Sequence, residues 1–454
     1  MASRPNKRVR VRTSPQPLQA INPNTAGIDI GAAEIYVAVP PDRDEQSVRS
    51  FSAFTCDLHE IAAWLKRCRV TSVAMESTGV YWIPLYEILQ DRGIEVCLVN
   101  ARHVKNVSGK KTDVLDCQWL QQLHSYGLLA SSFRPSQEIC RLRTIARQRD
   151  MLLRYRAAHI QHMQKALHLM NLQLDNVISD ITGTTGMAIV RAILAGERNT
   201  TVLAQFRDPH CRCSEEDIAK SLEGSYLDEH LFELQQAVEL YDVYTEKIAA
   251  CDRRLQATYD NGLSLRAPGQ HPGPSSKHKK HQRHDPDFDL RTSLFRLSGV
   301  DLTQIDGLNA VTVQAILSET GVDMTRWPTP KHYTAWLCLS PSDKISGGRR
   351  LATIKKTTTN RATQAYRLAA RSLHHSKSAL GAYYRRVNAK HGPAMAIKMT
   401  AHKLARIVYA MLNHKVEFKD LGEHYYELKY KERNLKRLKQ KAALLGFDLV
   451  PIAA

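Results

Sequence analysis

Between residues 25 and 99 the apolar residues come in short runs, and the order of those runs restricts the fold more than any other feature. Thr25-Ala-Gly-Ile-Asp-Ile-Gly31 and Ile35-Tyr-Val-Ala-Val39 read as two strands joined by a glycine-containing turn. A third strand is expected at residues 49–54, a helix at 58–67, a buried strand at 71–75, a helix at about 83–91 and a strand at 94–99. Strands paired first as a hairpin and then alternating with helices predict a mixed sheet covered by helices, an α/β domain.

From about residue 113 to about 257 the pattern is helical. Residues 142–174 and 231–255 repeat apolar side chains at three- and four-residue intervals, as in a helical hairpin or coiled-coil arm, with an ordinary helical subdomain as the alternative. Residues 266–289 hold Pro, Gly, Ser and Lys with His271, His278, His281 and His284, which predicts a flexible linker. At 454 residues the chain outgrows a single core. The division expected is a basic arm (1–24), an α/β domain (25–130), a helical or coiled-coil region (131–265), the linker (266–289), a mostly α C-terminal domain (290–421) and a basic C-terminal helix (422–454). A loop-rich insert at 339–360 interrupts the C-terminal domain.

Lys and Arg number 64 against 45 Asp and Glu, a net charge of +19, which points to a polyanionic partner, nucleic acid first. The charge is concentrated in places: residues 429–441 carry seven basic side chains and one acid, Glu432. A solvated helix face or phosphate contact would each account for that run. The nine cysteines are odd in number and lie mostly in apolar or helical stretches, so they read as reduced thiols. His210, Cys211 and Cys213 crowd together without a second ligand pair at zinc-finger spacing. No apolar run approaches the roughly 18 residues that cross a bilayer, and a cytoplasmic protein with no membrane partner is expected.

Four acids fall at useful places: Asp29 inside the first strand, Glu76 at the end of the fourth, and Asp113 and Asp116 at the start of a helix. Residues at i and i+3 share a helix face, so Asp113 and Asp116 can aim at one point, although acids in a first turn also suit the helix dipole. Asp29, between Ile28 and Ile30, and Glu76, after Val73-Ala-Met75, either bear a desolvation cost or hold a cation. Mg²⁺ takes a few carboxylates plus waters and phosphate oxygens. The ordered set resembles the carboxylates of the RNase H-like fold of the RuvC type. Arg102, Lys105, Lys110 and Lys111 form a basic loop beside them, suited to a phosphate backbone.

Gly27-Ile-Asp-Ile-Gly31, Met75-Glu-Ser-Thr-Gly-Val-Tyr-Trp82, Val99-Asn100 and Lys111-Thr-Asp-Val-Leu-Asp116 resemble the motifs of DEDD-type insertion-sequence transposases, relatives of the Piv DNA invertase. Ile305-Asp-Gly-Leu-Asn-Ala-Val-Thr312, Tyr333-Thr-Ala-Trp-Leu-Cys-Leu-Ser-Pro341, Ser346-Gly347 and His402-Lys-Leu-Ala-Arg-Ile-Val-Tyr409 resemble the same family's C-terminal domain. The resemblance implies a recombinase in which Asp29, Glu76, Asp113 and Asp116 coordinate Mg²⁺. It implies further that Ser346 attacks the phosphodiester and holds a covalent protein–DNA intermediate. Its implied partners are donor and target DNA, a guide (bridge) RNA and further copies of the chain, in a dimer or a tetramer with composite sites. Read without it, a serine before Gly347-Gly348 is a turn residue. Arg349, Arg350, Lys355, Lys356 and Arg361 make this loop basic, suited to positioning phosphates. A RuvC-like nuclease or junction resolvase using water, and a non-catalytic nucleic-acid-binding protein, are the competing readings.

Overall fold

Alternating burial sets the first sheet: in β1 (Thr25–Ile30) Ile28 and Ile30 are buried on one face while Asp29 on the other is half-buried. The computed structural model describes residues 20–77, 79–100, 113–273, 284–341, 343–353, 358 and 360–450, with backbone alone at 113, 344, 350 and 353. β1 is followed by β2 (Glu34–Ala38), β3 (Val48–Ser52), α1 (Thr55–Arg67), β4 (Ser72–Glu76), α2 (Trp82–Asp91), β5 (Glu95–Val99) and α3 (Asp113–Ser125). The five strands form one sheet in the order β3-β2-β1-β4-β5. β1 runs antiparallel to β2 and parallel to β4, and β4 runs parallel to β5, which gives the expected mixed sheet. The third strand spans 48–52 rather than 49–54, because Phe54 caps α1.

Each face of the sheet has its own cover. Ile28, Ile35, Val37, Val73, Met75 and Leu98 pack with Leu58, Ile61, Trp64 and Leu65 of α1 and Leu85 and Leu89 of α2 in one apolar cluster. On the other face Ala74 and Val99 pack with Leu120 of α3. A fully buried Leu or Ile contributes about 1.5–3 kcal/mol, so the first cluster carries most of this unit's stability.

Residues Met1–Arg134 and Pro135–Ala454 form two compact units. In the second, α4 (Gln137–Leu169) and α6 (Asp228–Asn261) are the two long helices, with α5 (Thr184–Leu194) and shorter helices between them. The helical stretch expected from 113 to 257 is therefore broken, first by the irregular segment 126–136. Arg149 meets Asp252 and Arg156 meets Thr245, so α4 and α6 are antiparallel. Their buried residues recur every seven: Leu142, Arg149, Arg156 and Met163 on α4, Leu234, Tyr241, Ile248 and Leu255 on α6. The start of the segment expected as a linker is tied down, since the N–H groups of Arg266 and Ala267 both bond the Arg296 carbonyl at 2.9 Å. Its residues 274–283, including His278 and His281, lie outside the described residues, as does the basic arm up to residue 19.

The remainder comprises α7 (Leu290–Ser298), α8 (Ala310–Thr320), α9 (Pro330–Trp336), β6 (Asp343–Ser346), β7 (Arg349–Thr353), α10 (Arg361–Ser372), α11 (Ala379–His391), α12 (Pro393–His414) and α13 (Gly422–Leu444). Its core is aromatic: Trp327, Tyr333, Trp336 and Tyr409 pack together, the Tyr333 and Tyr366 hydroxyls meet at 3.0 Å, and Tyr409 donates to the Trp327 carbonyl at 2.7 Å. The insert at 339–360, expected as loop, contains the β6–β7 hairpin. Gly347 and Gly348 make its two-residue turn possible, both lying at positive φ (55° and 75°) as such hairpin turns require.

Candidate active site

Parallel pairing of β1 with β4 brings two acids side by side. Ile28 is opposite Met75, and the next residues along the two strands are Asp29 and Glu76. Both belong to the α3 side of the sheet, since their neighbours Ile28 and Met75 face the other core. Each is half-buried at a strand end, where a carboxylate is costly unless it is paired or binds a cation.

The third element is α3, and a glycine fixes its position. A Cβ built on Gly27 would stand 3.0 Å from Gln121 Cα, and closer still to the Cys117 carbonyl oxygen and the Gln121 nitrogen. Only a residue without a side chain lets the helix backbone lie directly on the strand. Further along, the Gln121 amide reaches Thr25 Oγ1 at 3.5 Å and the His124 ring meets Ser72 Oγ at 2.7 Å. The Ser125 carbonyl accepts the Ile21 and Asn22 N–H groups at 2.9 Å. The C-terminal end of α3 is thus fastened to the starts of β1 and β4, so its N-terminal turn, with Asp113 and Asp116, lies toward their ends. Cys117 records that arrangement. Burial pushes its thiol up to about 12, and the negative charges of Asp29 and Asp116 act on it in the same direction. Burial likewise holds His124 below its usual value.

The structure therefore brings Asp29, Glu76 and Asp116 to one end of one sheet face, and α3 begins at Asp113, of which the backbone alone is described. Among the described residues no group of three or more His, Cys, Asp or Glu side chains could hold a metal ion. The donors offered are carboxylate oxygens, which match a hard divalent cation. Arg102, Lys105, Lys110 and Lys111 lie outside the described residues.

In the second unit Ser346 is the last residue of β6, exposed and paired with Arg349 across the Gly347-Gly348 turn. Arg349 is exposed on β7, and Arg350 is described by its backbone alone. Lys355 and Lys356 lie outside the described residues. Arg361 opens α10 with its guanidinium 3.3 Å from Asp150, an exposed pair of little energetic weight.

Two family models match the chain where these elements lie: one for DEDD-type IS110 transposases, described as Transposase, over residues 26–172, and one described as Transposase IS116/IS110/IS902 family, over residues 301–385. The chain belongs to the IS110 family of transposases. It is accordingly an enzyme that acts on DNA, and membership of a DEDD-type family implies a divalent metal. No curated protein matches it. The first matched region of this transposase contains all four proposed carboxylates, and the second contains Ser346. Among the described residues no helix is long and apolar enough to cross a membrane.

Sequence reasoning missed the part played by Gly27, whose signal is a lone glycine inside a mostly buried strand. It also missed His124, which pattern alone does not separate from any other residue in a helix's last turn.

Proposed function

We propose that this transposase is a Mg²⁺-dependent recombinase with an RNase H-like, RuvC-type N-terminal domain, in which Asp29, Glu76, Asp113 and Asp116 bind Mg²⁺ and Ser346 is the nucleophile. The observation that carries the metal half is the adjacency of Asp29 and Glu76 on parallel strands, under a helix that starts with the other two acids. The sheet order β3-β2-β1-β4-β5 supports the RuvC-type reading. When bound, Mg²⁺ supplies positive charge to the attacking and leaving oxygens of a phosphodiester. The carboxylates hold it by charge, and Gly27 keeps the helix that bears two of them close to the strand that bears the first.

Ser346 is exposed beside a tight turn, so its hydroxyl is accessible to a DNA strand. In the proposed step Ser346 Oγ forms a bond to phosphorus, its proton passes to a base, and the bond from phosphorus to one sugar oxygen breaks. That oxygen takes up a proton and leaves as a hydroxyl. The phosphoester now on Ser346 conserves the bond, and a hydroxyl of another strand reverses the step to rejoin the DNA. Arg349 and Arg350 flank the turn and suit phosphate positioning, with Lys355, Lys356 and Arg361 following in sequence, as Arg102, Lys105, Lys110 and Lys111 do near the carboxylates.

The resemblance and the charge of +19 support donor and target DNA, a guide (bridge) RNA and a homo-oligomer as partners, acting in the cytoplasm at the nucleoid. The heptad spacing of buried residues on α4 and α6 supports a coiled-coil arm. The boundaries proposed remain 1–24, 25–130, 131–265, 266–289, 290–421 and 422–454.

The test is detection on denaturing gels of a covalent protein–DNA adduct, with labelled donor and target DNA, Mg²⁺ and copurified RNA. Wild type should give an adduct, Ser346→Ala none, and Asp29→Ala neither adduct nor cleavage while staying folded. Cleavage without an adduct in both wild type and Ser346→Ala would replace serine chemistry by a water-using, resolvase-like nuclease. Full activity in Asp29→Ala would remove the metal site.

A further inference from the structure

About residue 385, where the second matched region ends within α11, and beyond it, α11, α12 and α13 gather cations along one seam. α13 buries none of its residues, so apolar packing does not hold it in place. Its inward side chains recur at helical spacing. Glu423 pairs with Arg385, Tyr426 meets Tyr383 with ring centres 6.3 Å apart, and Tyr430 lies under the Arg386 guanidinium at 3.4 Å. Arg386 is also 4.8 Å from the Tyr426 ring, and Lys403 of α12 stands over Tyr383 at 4.4 Å and Tyr426 at 5.3 Å. Arg433 and Arg437 continue the same stripe one and two turns on from Tyr430.

The seam is consequently lined on both sides by positive charge. Lys403 is held below the usual lysine range by burial, and further by Arg433 and Arg406. The Tyr430 hydroxyl is drawn below its ordinary value by a hydrogen bond with Asn434 and by the positive charges of Arg386, Lys390 and Arg437. Buried Nη1 of Arg386 has no hydrogen-bond partner. Among the described residues none of Lys390, Lys403, Arg406, Arg433 or Arg437 forms an ion pair with a carboxylate, and Glu423 is engaged by Arg385 at one end of the stripe. Tyrosine faces offset part of the repulsion through cation–π contact. Like charges brought together this way still call for an anion from outside.

The cations repeat every three or four residues along each helix, about 5 Å apart. A single small anion would answer one or two of them, whereas a backbone with a charge at every nucleotide answers the row. Arginine, lysine and tyrosine hydroxyl are all donors to phosphate oxygens. We propose that the seam between α11, α12 and α13, most of which lies beyond the matched regions, is a surface that binds the phosphate backbone of duplex DNA. Duplex DNA is the occupant because it is the substrate class of this family and presents one charge per roughly 1.7 Å of axis. Such contacts position DNA and carry no sequence preference.

The test uses the full-length chain and a labelled duplex of arbitrary sequence, with affinity measured across a series of NaCl concentrations. Arg433→Gln with Arg437→Gln should lower the slope of log affinity against log salt by about 1.8, two phosphate contacts' worth, and Arg406→Gln alone by about 0.9. Lys431→Gln with Lys439→Gln, on the opposite side of the same helix, should leave the slope unchanged. Thermal midpoints should hold or rise in the inner variants, because they relieve repulsion. Equal losses from the inner and outer pairs, or no loss from either, would overturn the proposal. So would an inner-pair effect seen with an RNA duplex of the same length but not with DNA.

Discussion

Gly27→Ala tests whether the approach of α3 to β1 builds the active site. The added methyl would sit 3.0 Å from Gln121 Cα, and nearer to the Cys117 carbonyl and the Gln121 nitrogen, where ordinary contact begins at 3.4 Å. All three obstacles are backbone, so no side chain can swing aside, and α3 must retreat on the order of 1 Å. Overpacking of this kind costs about 1–3 kcal/mol, and at about 4 °C per kcal/mol for a domain of this size the thermal midpoint should fall by roughly 4–12 °C. On the proposed metal site the catalytic cost is larger, since a 1 Å displacement of Asp113 and Asp116 from Asp29 and Glu76 is worth about 100-fold in rate. Strand cleavage by fully folded Gly27→Ala should therefore be slowed about 100-fold, with DNA affinity retained. Leu65→Ala is the control: it opens a cavity in the core on the opposite sheet face at about 2–5 kcal/mol and should leave cleavage near wild type at temperatures where it is folded. If Gly27→Ala cleaves within about three-fold of wild type, or if Leu65→Ala loses as much rate, α3 does not set the geometry.

In the helical pair, Arg149 and Asp252 are buried against each other, so Asp252→Ala should destabilise by about 3–5 kcal/mol in denaturant melts, and Arg149→Met with Asp252→Leu should recover most of it. His124 has a lowered folded value, so its contribution is fully present above its unfolded value near 6.5 and is lost as pH falls through the lower folded one. Wild-type stability should fall more steeply below about pH 6.5 than that of His124→Gln, by up to about 1.4 kcal/mol per pH unit, and equal slopes would show that His124 does not titrate on unfolding.

Much of the first unit was legible because strand and helix periodicities differ and because parallel pairing follows from alternation with helices. Asp29 and Glu76 stood out against apolar neighbours, since an acid among isoleucines needs a reason. The insert was harder. Ile345 and Leu351 are exposed on the hairpin, so no apolar periodicity marked its strands, and Gly347-Gly348 was the only local sign of a turn. The end of the chain shows a different limit. Its basic run was plain in sequence, but which residues turn inward was not, because α13 docks through Tyr426, Tyr430 and cation–π contacts rather than through its leucines.

Hydrophobic periodicity finds elements held by apolar burial and overlooks those held by polar contacts, and in this chain the second kind lies at the hairpin bearing Ser346 and at the cationic seam. α13 buries none of its residues, and on the hairpin Ser346 and Arg349 are exposed. That is the physical condition for meeting a hydrated, charged polymer: at both proposed phosphate contacts the chain gives up apolar burial and supplies cations or a hydroxyl instead. Around Asp29 and Glu76 the condition is reversed, with a glycine-tight helix and buried strands, which is the rigidity that the proposed carboxylate set would need before substrate arrives.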